Sequence, residues 1–179
     1  MPDILKPIRE SDLKPEPVNP PQRPGRIYRR ILVGTDFTSA STPAFEQGLK
    51  LAKQNGAELL ITHSCTIPRS LGVMTTDSYG AWEKQCRSEA EECVGPLIQM
   101  ARNEGVKAHI LVLSGLADDA IVEAAQRLKV DLIVVGADKH RGVSRLFFRS
   151  IAAQVVARAS CAVLTVCSPG RERKFARRR

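Results

Sequence analysis

The run from Val134 to Ser150, VVGADKHRGVSRLFFRS, carries the residues best able to do chemistry. An aliphatic strand ends in Gly136, and a short helix begins at Ser150. A helix start offers unpaired backbone N–H groups and a partial positive charge, and a strand ending in glycine lets an anion approach the backbone. Lys139, His140, Arg141, Arg145 and Arg149 add a cationic cluster between them. That combination suits a phosphate or another anion, or a contact with an acidic partner; a solvated basic loop would look the same in sequence.

Other chemistries find little support. His63, His109 and His140 show no metal-ligand spacing, so no metal site is expected, and neither a GxSxG elbow nor a P-loop lysine sequence occurs. No catalytic residue stands out, and an enzyme is not expected. The five cysteines, Cys65, Cys86, Cys93, Cys161 and Cys167, are odd in number and lack a CxxC pair, which reads as free buried thiols. Cys86 and Cys93 fall on one helical stripe with Trp82, Ala90, Leu97 and Met100, a pattern that places both toward a core.

The elements that must position these residues alternate strand and helix. Strands are expected at 27–36, 57–64, 107–114, 131–137 and 161–166. Between them, helices are expected from Thr42-Pro43 to Gly56, from about Ala81 to Asn103, after Asp118 and Asp119, and from Ser150 to Ala159. Gly95-Pro96 inside the second helix should kink or split it, because proline removes a hydrogen bond. Near-continuous aliphatic strands alternating with helices demand an open five-stranded parallel sheet, Rossmann-like, with helices on both faces. Right-handed crossovers then put the ligand site beyond the carboxyl ends of the strands, where the order reverses, with Asp36, His63, Ser114 and Gly136 as candidates. Asp36 also has a purely structural reading, as the cap of the turn before Phe37 and Thr38.

At 179 residues the chain has room for one ordinary domain. Its net charge of +8 sits at the ends: the last nine residues, RERKFARRR, hold six cations against one acid, while residues 31–170 are balanced. Residues 1–26, rich in proline, are expected to form a disordered arm, and 169–179 a mobile basic tail, flanking a domain at 27–168. Such a tail attracts nucleic acid only weakly and with strong salt dependence. No stretch is apolar enough to span a bilayer and the N-terminus lacks a secretory core, so no membrane partner and a cytoplasmic location are expected.

Three segments, ILVGTDFTSAS, SGLADDAIVEAAQRLKVDLIVVGA and HRGVSRLFFRSIAAQVVARASCAVLTV, together resemble the universal stress protein family over about residues 27–168. In nucleotide-binding members the fourth strand runs into a glycine, two residues, a second glycine, nine residues, a third glycine and then Ser or Thr. Here those places hold Gly136, Lys139, Arg149 and Ser150. The first glycine and the hydroxyl are kept, whereas the two cations remove backbone freedom where a phosphate would be wrapped. The resemblance implies that Asp36 and Gly34 meet an adenine, Ser64 lies near the base, Val135 and Gly136 follow the ribose and phosphates, and Ser150 with Ile151 closes the phosphate end. It implies a non-enzymatic stress-response module, binding ATP weakly or not at all and acting as a homodimer through the last strand, Cys161–Val166, with a protein partner for signalling. The alternative is an adenine-nucleotide-binding stress protein, taking ATP with magnesium or another anion, with slow or no hydrolysis.

Overall fold

The computed structural model describes residues 27–38, 41–65, 76–137 and 150–167. The elements follow in the expected order: β1 (Arg30–Gly34), α1 (Thr42–Asn55), β2 (Glu58–Cys65), α2 (Thr76–Asn103), β3 (Ala108–Ser114), α3 (Ala117–Arg127), β4 (Leu132–Ala137), α4 (Ile151–Arg158) and β5 (Ala162–Cys167). All five strands are parallel in the order β3-β2-β1-β4-β5. The chain winds one way from β1 to β3 and the other way from β4 to β5, which makes the gap between β1 and β4 the switch point. The expected arm (1–26) and tail (169–179) lie outside the described residues, as does most of the expected basic loop.

Alternation along each central strand divides the core into two layers. Ile31 and Val33 of β1, Leu59 and Ile61 of β2, and Leu132 and Val134 of β4 pack with Phe45, Leu49 and Ala52 of α1 and Val94 of α2. Leu32, Leu60, Ile133 and Val135 point the opposite way, onto Ile121 and Ala125 of α3 and Val155 of α4. Both faces of the middle strands are therefore dry, which is why their sequences read as unbroken aliphatic runs. Gly48 brings α1 close to the sheet, since a Cβ there would collide with the Cγ2 of Val33.

Two expectations about α2 are corrected. The helix starts at Thr76 rather than near Ala81 and runs unbroken through Pro96. Pro96 and Glu92, whose carbonyl loses its helical partner, are both exposed, so water can serve that carbonyl while buried Ala90, Val94 and Ala101 hold the helix to the core. The buried stripe centres near Ala90 and Ala101. At 3.6 residues per turn, Cys93 and Met100 lie roughly 60° and 80° around the helix from Ala90, and both are exposed.

The cysteine reading is also corrected. Cys65, at the end of β2 and 1% exposed, is joined to Cys86 of α2 in a disulfide with a Cα–Cα distance of 6.1 Å. Cys93, Cys161 and Cys167 are free, and of these Cys93 and Cys167 are exposed rather than buried. Spacing along the chain carries no trace of the pairing, because it depends on how α2 crosses the end of β2.

The opposite, amino-terminal end of the sheet is closed by a charged lattice. Asp131 Oδ2 accepts the backbone N–H groups of Arg29 at 2.7 Å and Arg30 at 2.9 Å. The side chain of Arg30, 9% exposed, donates to Glu58 Oε2 at 3.0 Å and to the Leu128 carbonyl at 2.9 Å. Lys107 Nζ and His109 Nε2 each sit 3.0 Å from Glu58 Oε1, the one polar contact of the buried His109 Nε2 among the described residues. The hydrogen bond from His109 is the largest influence on Glu58; burial opposes it, and with Lys107 and Arg30 added the carboxyl is held down to about 2.

Candidate functional site

At the switch point the carboxyl ends of β1, β2 and β4 open into a crevice of about 250 Å³. Its walls are Gly34, Thr35 and Asp36 after β1, Ser41 before α1, Thr62, His63 and Ser64 of β2, Ala117 and Ile121 of α3, Val135 and Gly136 of β4, and Ile151 of α4. Such a volume lies just below the roughly 300–1,000 Å³ range of drug-sized ligand pockets, which suits a ligand no larger than a nucleoside. The floor is apolar because Ile121 of α3 and Val135 of β4 belong to the buried layer between that helix and the sheet. Gly34 keeps that floor low: a Cβ there would meet Ile121 Cδ1 and Val135 Cγ1, each at 3.3 Å.

The rim is polar and already ordered by its own hydrogen bonds. Asp36 Oδ1 accepts the Thr38 backbone N–H at 3.0 Å and the Thr38 hydroxyl at 2.7 Å. Burial alone would raise the Asp36 carboxyl, but the bonds from Thr38, with Ser41 assisting, outweigh it and hold the carboxyl below its ordinary value. Asp36 is thus anionic at neutral pH, and it caps its turn as the structural reading expects. A carboxylate has about four acceptor positions, so this capping leaves room to accept from a ligand amine. The turn itself is strained: Phe37 has φ 59°, uncommon for a bulky residue, with its N–H bonded to Thr35 Oγ1 at 3.0 Å. Phe37 also stacks on His63, ring centres 4.8 Å apart.

The remaining polar groups are committed to backbone oxygens. His63 Nδ1 lies 3.0 Å from the Thr35 carbonyl, Ser64 Oγ donates to the Gly115 carbonyl at 2.8 Å, and Thr62 Oγ1 donates to the Leu111 carbonyl at 3.1 Å. A carbonyl oxygen can only accept, so Nδ1 of His63 carries the proton and Nε2 is left as the lone-pair nitrogen of the neutral ring.

Of the residues expected to form the site, Gly34, Asp36, His63, Ser64, Val135, Gly136 and Ile151 converge on this crevice. Ser150 instead caps α4, its hydroxyl accepting the Ala153 N–H at 3.4 Å. Ser114 stands apart from the crevice walls, donating to Glu83 Oε1 of α2 at 2.7 Å. Lys139 and Arg149 lie outside the described residues. Thr35, Ser41, Thr62, Ala117 and Ile121 were not foreseen; Thr62 hides inside an aliphatic strand, and the other four lie within the segments that carry the family resemblance but have no side chain that marks them as ligands.

The family model of the universal stress protein family matches residues 27–166. Universal stress protein MJ0531 of Methanocaldococcus jannaschii is 30% identical over 146 residues, covering 82% of this chain and 86% of that protein. Among solved structures, a universal stress protein in complex with cAMP superposes with a TM-score of 0.56 at 22% identity, covering 78% of this chain and 97% of that one. The universal stress protein from Archaeoglobus fulgidus in complex with dAMP gives a TM-score of 0.55 at 20% identity, with coverages of 78% and 98%. Both likenesses support the Rossmann-like fold.

Proposed function

The chain belongs to the universal stress protein family, and from that premise we propose that it is a non-catalytic stress-response module whose crevice takes the adenosine part of an adenine mononucleotide. The carrying observation is the crevice at the β1/β4 switch point, with anionic Asp36 on its rim and an apolar floor of Ile121 and Val135. Asp36 would accept the exocyclic amine of adenine while the base lies on the aliphatic floor. Gly136 would let the ribose and first phosphate approach the backbone, and the start of α4 at Ser150 would face the anion. The mononucleotides cAMP and dAMP held by two structural neighbours are in keeping with this ligand class.

ATP is expected to gain little over AMP. Lys139 and Arg149 stand where the family pattern has glycines, and a side chain there removes the backbone approach that a polyphosphate needs. Catalysis has no support among the described residues of the crevice: the hydroxyls of Thr62 and Ser64 donate to backbone carbonyls, and those of Thr35 and Ser41 are bonded to each other. Calorimetric titration of the purified chain tests the reading. AMP should bind, ATP with magnesium should bind no more tightly, and neither should be hydrolysed. Absence of binding by both at millimolar concentration would overturn it.

A homodimer through β5 accompanies this reading. The strand lies at one edge of the sheet, and Val163, Leu164 and Val166 are only half-buried on it. An apolar edge with unpaired backbone groups invites a second copy. Sedimentation at micromolar concentration should give twice the chain mass; a monomer would remove the dimer while leaving the nucleotide reading intact.

A further inference from the structure

Beside the crevice, one ring nitrogen of His63 and the sulfurs of Cys65 and Cys86 all lie within 4.8 Å of one another. We infer that these three side chains form a soft-metal site in the reduced protein, one that formation of the Cys65–Cys86 disulfide abolishes. The inference stands apart from the nucleotide reading and would survive its failure.

The donor set is two thiolates and an imidazole, the chemistry preferred by zinc and its analogues, with a fourth position open to water or an outside ligand. Tetrahedral zinc with Zn–S bonds of about 2.3 Å would place the two sulfurs about 3.8 Å apart, a separation the rotamers of Cys65 and Cys86 can reach once the disulfide is broken. Their Cα atoms, 6.1 Å apart, need not move far between the two states.

His63 is the feature that a plain structural bridge does not explain. Its Nδ1–H is fixed on the Thr35 carbonyl at 3.0 Å, and Phe37 stacks on the ring. A backbone carbonyl on one ring nitrogen is how metal-binding histidines are oriented, and with Nδ1–H so held the metal would be taken by Nε2. The two cysteines come from different elements, β2 and α2, so metal or disulfide equally ties α2 to the crevice wall formed by His63 and Ser64.

Passage between the states needs a two-electron oxidant, for which a hydroperoxide suffices. Cys86, less buried than Cys65, attacks the O–O bond as thiolate, giving a sulfenic acid and an alkoxide that leaves as alcohol (water for hydrogen peroxide). The Cys65 thiolate then displaces hydroxide from that sulfur, which leaves as water, and the S–S bond forms. Two electrons have moved from the sulfurs to the peroxide, and the metal, deprived of both thiolates, departs.

The test uses the full chain, reduced with a phosphine under nitrogen and titrated with Co²⁺ and then Zn²⁺. Expected are one Co²⁺ per chain with a thiolate-to-cobalt absorption band, its displacement by Zn²⁺, and loss of the band in Cys86→Ser. His63→Gln, which keeps both thiolates, should weaken binding at least tenfold. One equivalent of hydrogen peroxide should release the zinc and yield a peptide cross-linked through Cys65 and Cys86. A reduced protein with native circular dichroism that takes up no Co²⁺ overturns the site, even if the cross-link forms on oxidation. An unchanged affinity in folded His63→Gln, or a band that persists in Cys86→Ser, overturns this ligand set.

Discussion

The two ends of the sheet are built from similar residues and used in opposite ways. At the amino-terminal end, Arg30, Glu58, Lys107, His109 and Asp131 answer one another and the backbone, and the lattice ties the starts of β1, β2, β3 and β4 together. At the carboxyl end, Asp36 is satisfied on one side by Thr38 and faces a hollow on the other. A carboxylate ringed by partners adds stability; a carboxylate with acceptor capacity left over beside an apolar floor can bind. Parallel strands impose this division, because every crossover delivers the loops that can vary to the same end.

Glu58→Ala should break that comparison most visibly. It removes the carboxylate from a buried Arg30 that keeps the Leu128 carbonyl, which should cost about 3 kcal/mol and lower the denaturant midpoint, while the folded fraction keeps its affinity for AMP. Acid acts on the same group. With the Glu58 carboxyl at about 2 folded against 4.5 in its ordinary state, its contribution is fully present above pH 4.5 and drains away as pH falls toward 2. Unfolding followed by circular dichroism should show that loss, about 3 kcal/mol in extent, and Glu58→Gln should flatten the profile over this window.

Asp36→Ala probes the other end. The loss of a charged acceptor should raise the dissociation constant for AMP about 10–100-fold, with a stability change of only about 1 kcal/mol from the uncapped turn. A large stability loss with unchanged affinity would reduce Asp36 to its capping role. The smallest effect is expected from the pair Lys139→Gly with Arg149→Gly, which should tighten ATP by about tenfold relative to AMP, close to 1.4 kcal/mol. An affinity ratio that stays the same would show that these cations do not govern the phosphate end.

The sheet was legible because its signals are local. Aliphatic runs such as ILVG and LIVVGA need two covered faces, and the order of elements follows from them. Asp36, His63 and Gly136 were legible for the same reason, as residues at strand ends, whereas Gly34 and Val135 were implied by the family resemblance. Ser114 sits at a strand end too, yet its hydroxyl went to Glu83, because a polar side chain bonds whatever the neighbouring helix presents. The kink expected at Pro96 did not split α2, since one lost hydrogen bond on an exposed face weighs less than the packing of Val94 and Ala101.

The sequence by itself determined the alternation of elements, helices on both faces of a parallel sheet, and the departure from the family's glycine pattern at Lys139 and Arg149. All of these follow from residue types in local order. Only the tertiary structure decided that Cys65 and Cys86 meet beside His63, that Glu58 gathers Arg30, Lys107 and His109, and that Thr62 and Ile121 share a wall with Asp36. Those partnerships join residues far apart in the chain, and side-chain distances across separate elements are set by packing, which local periodicity does not encode.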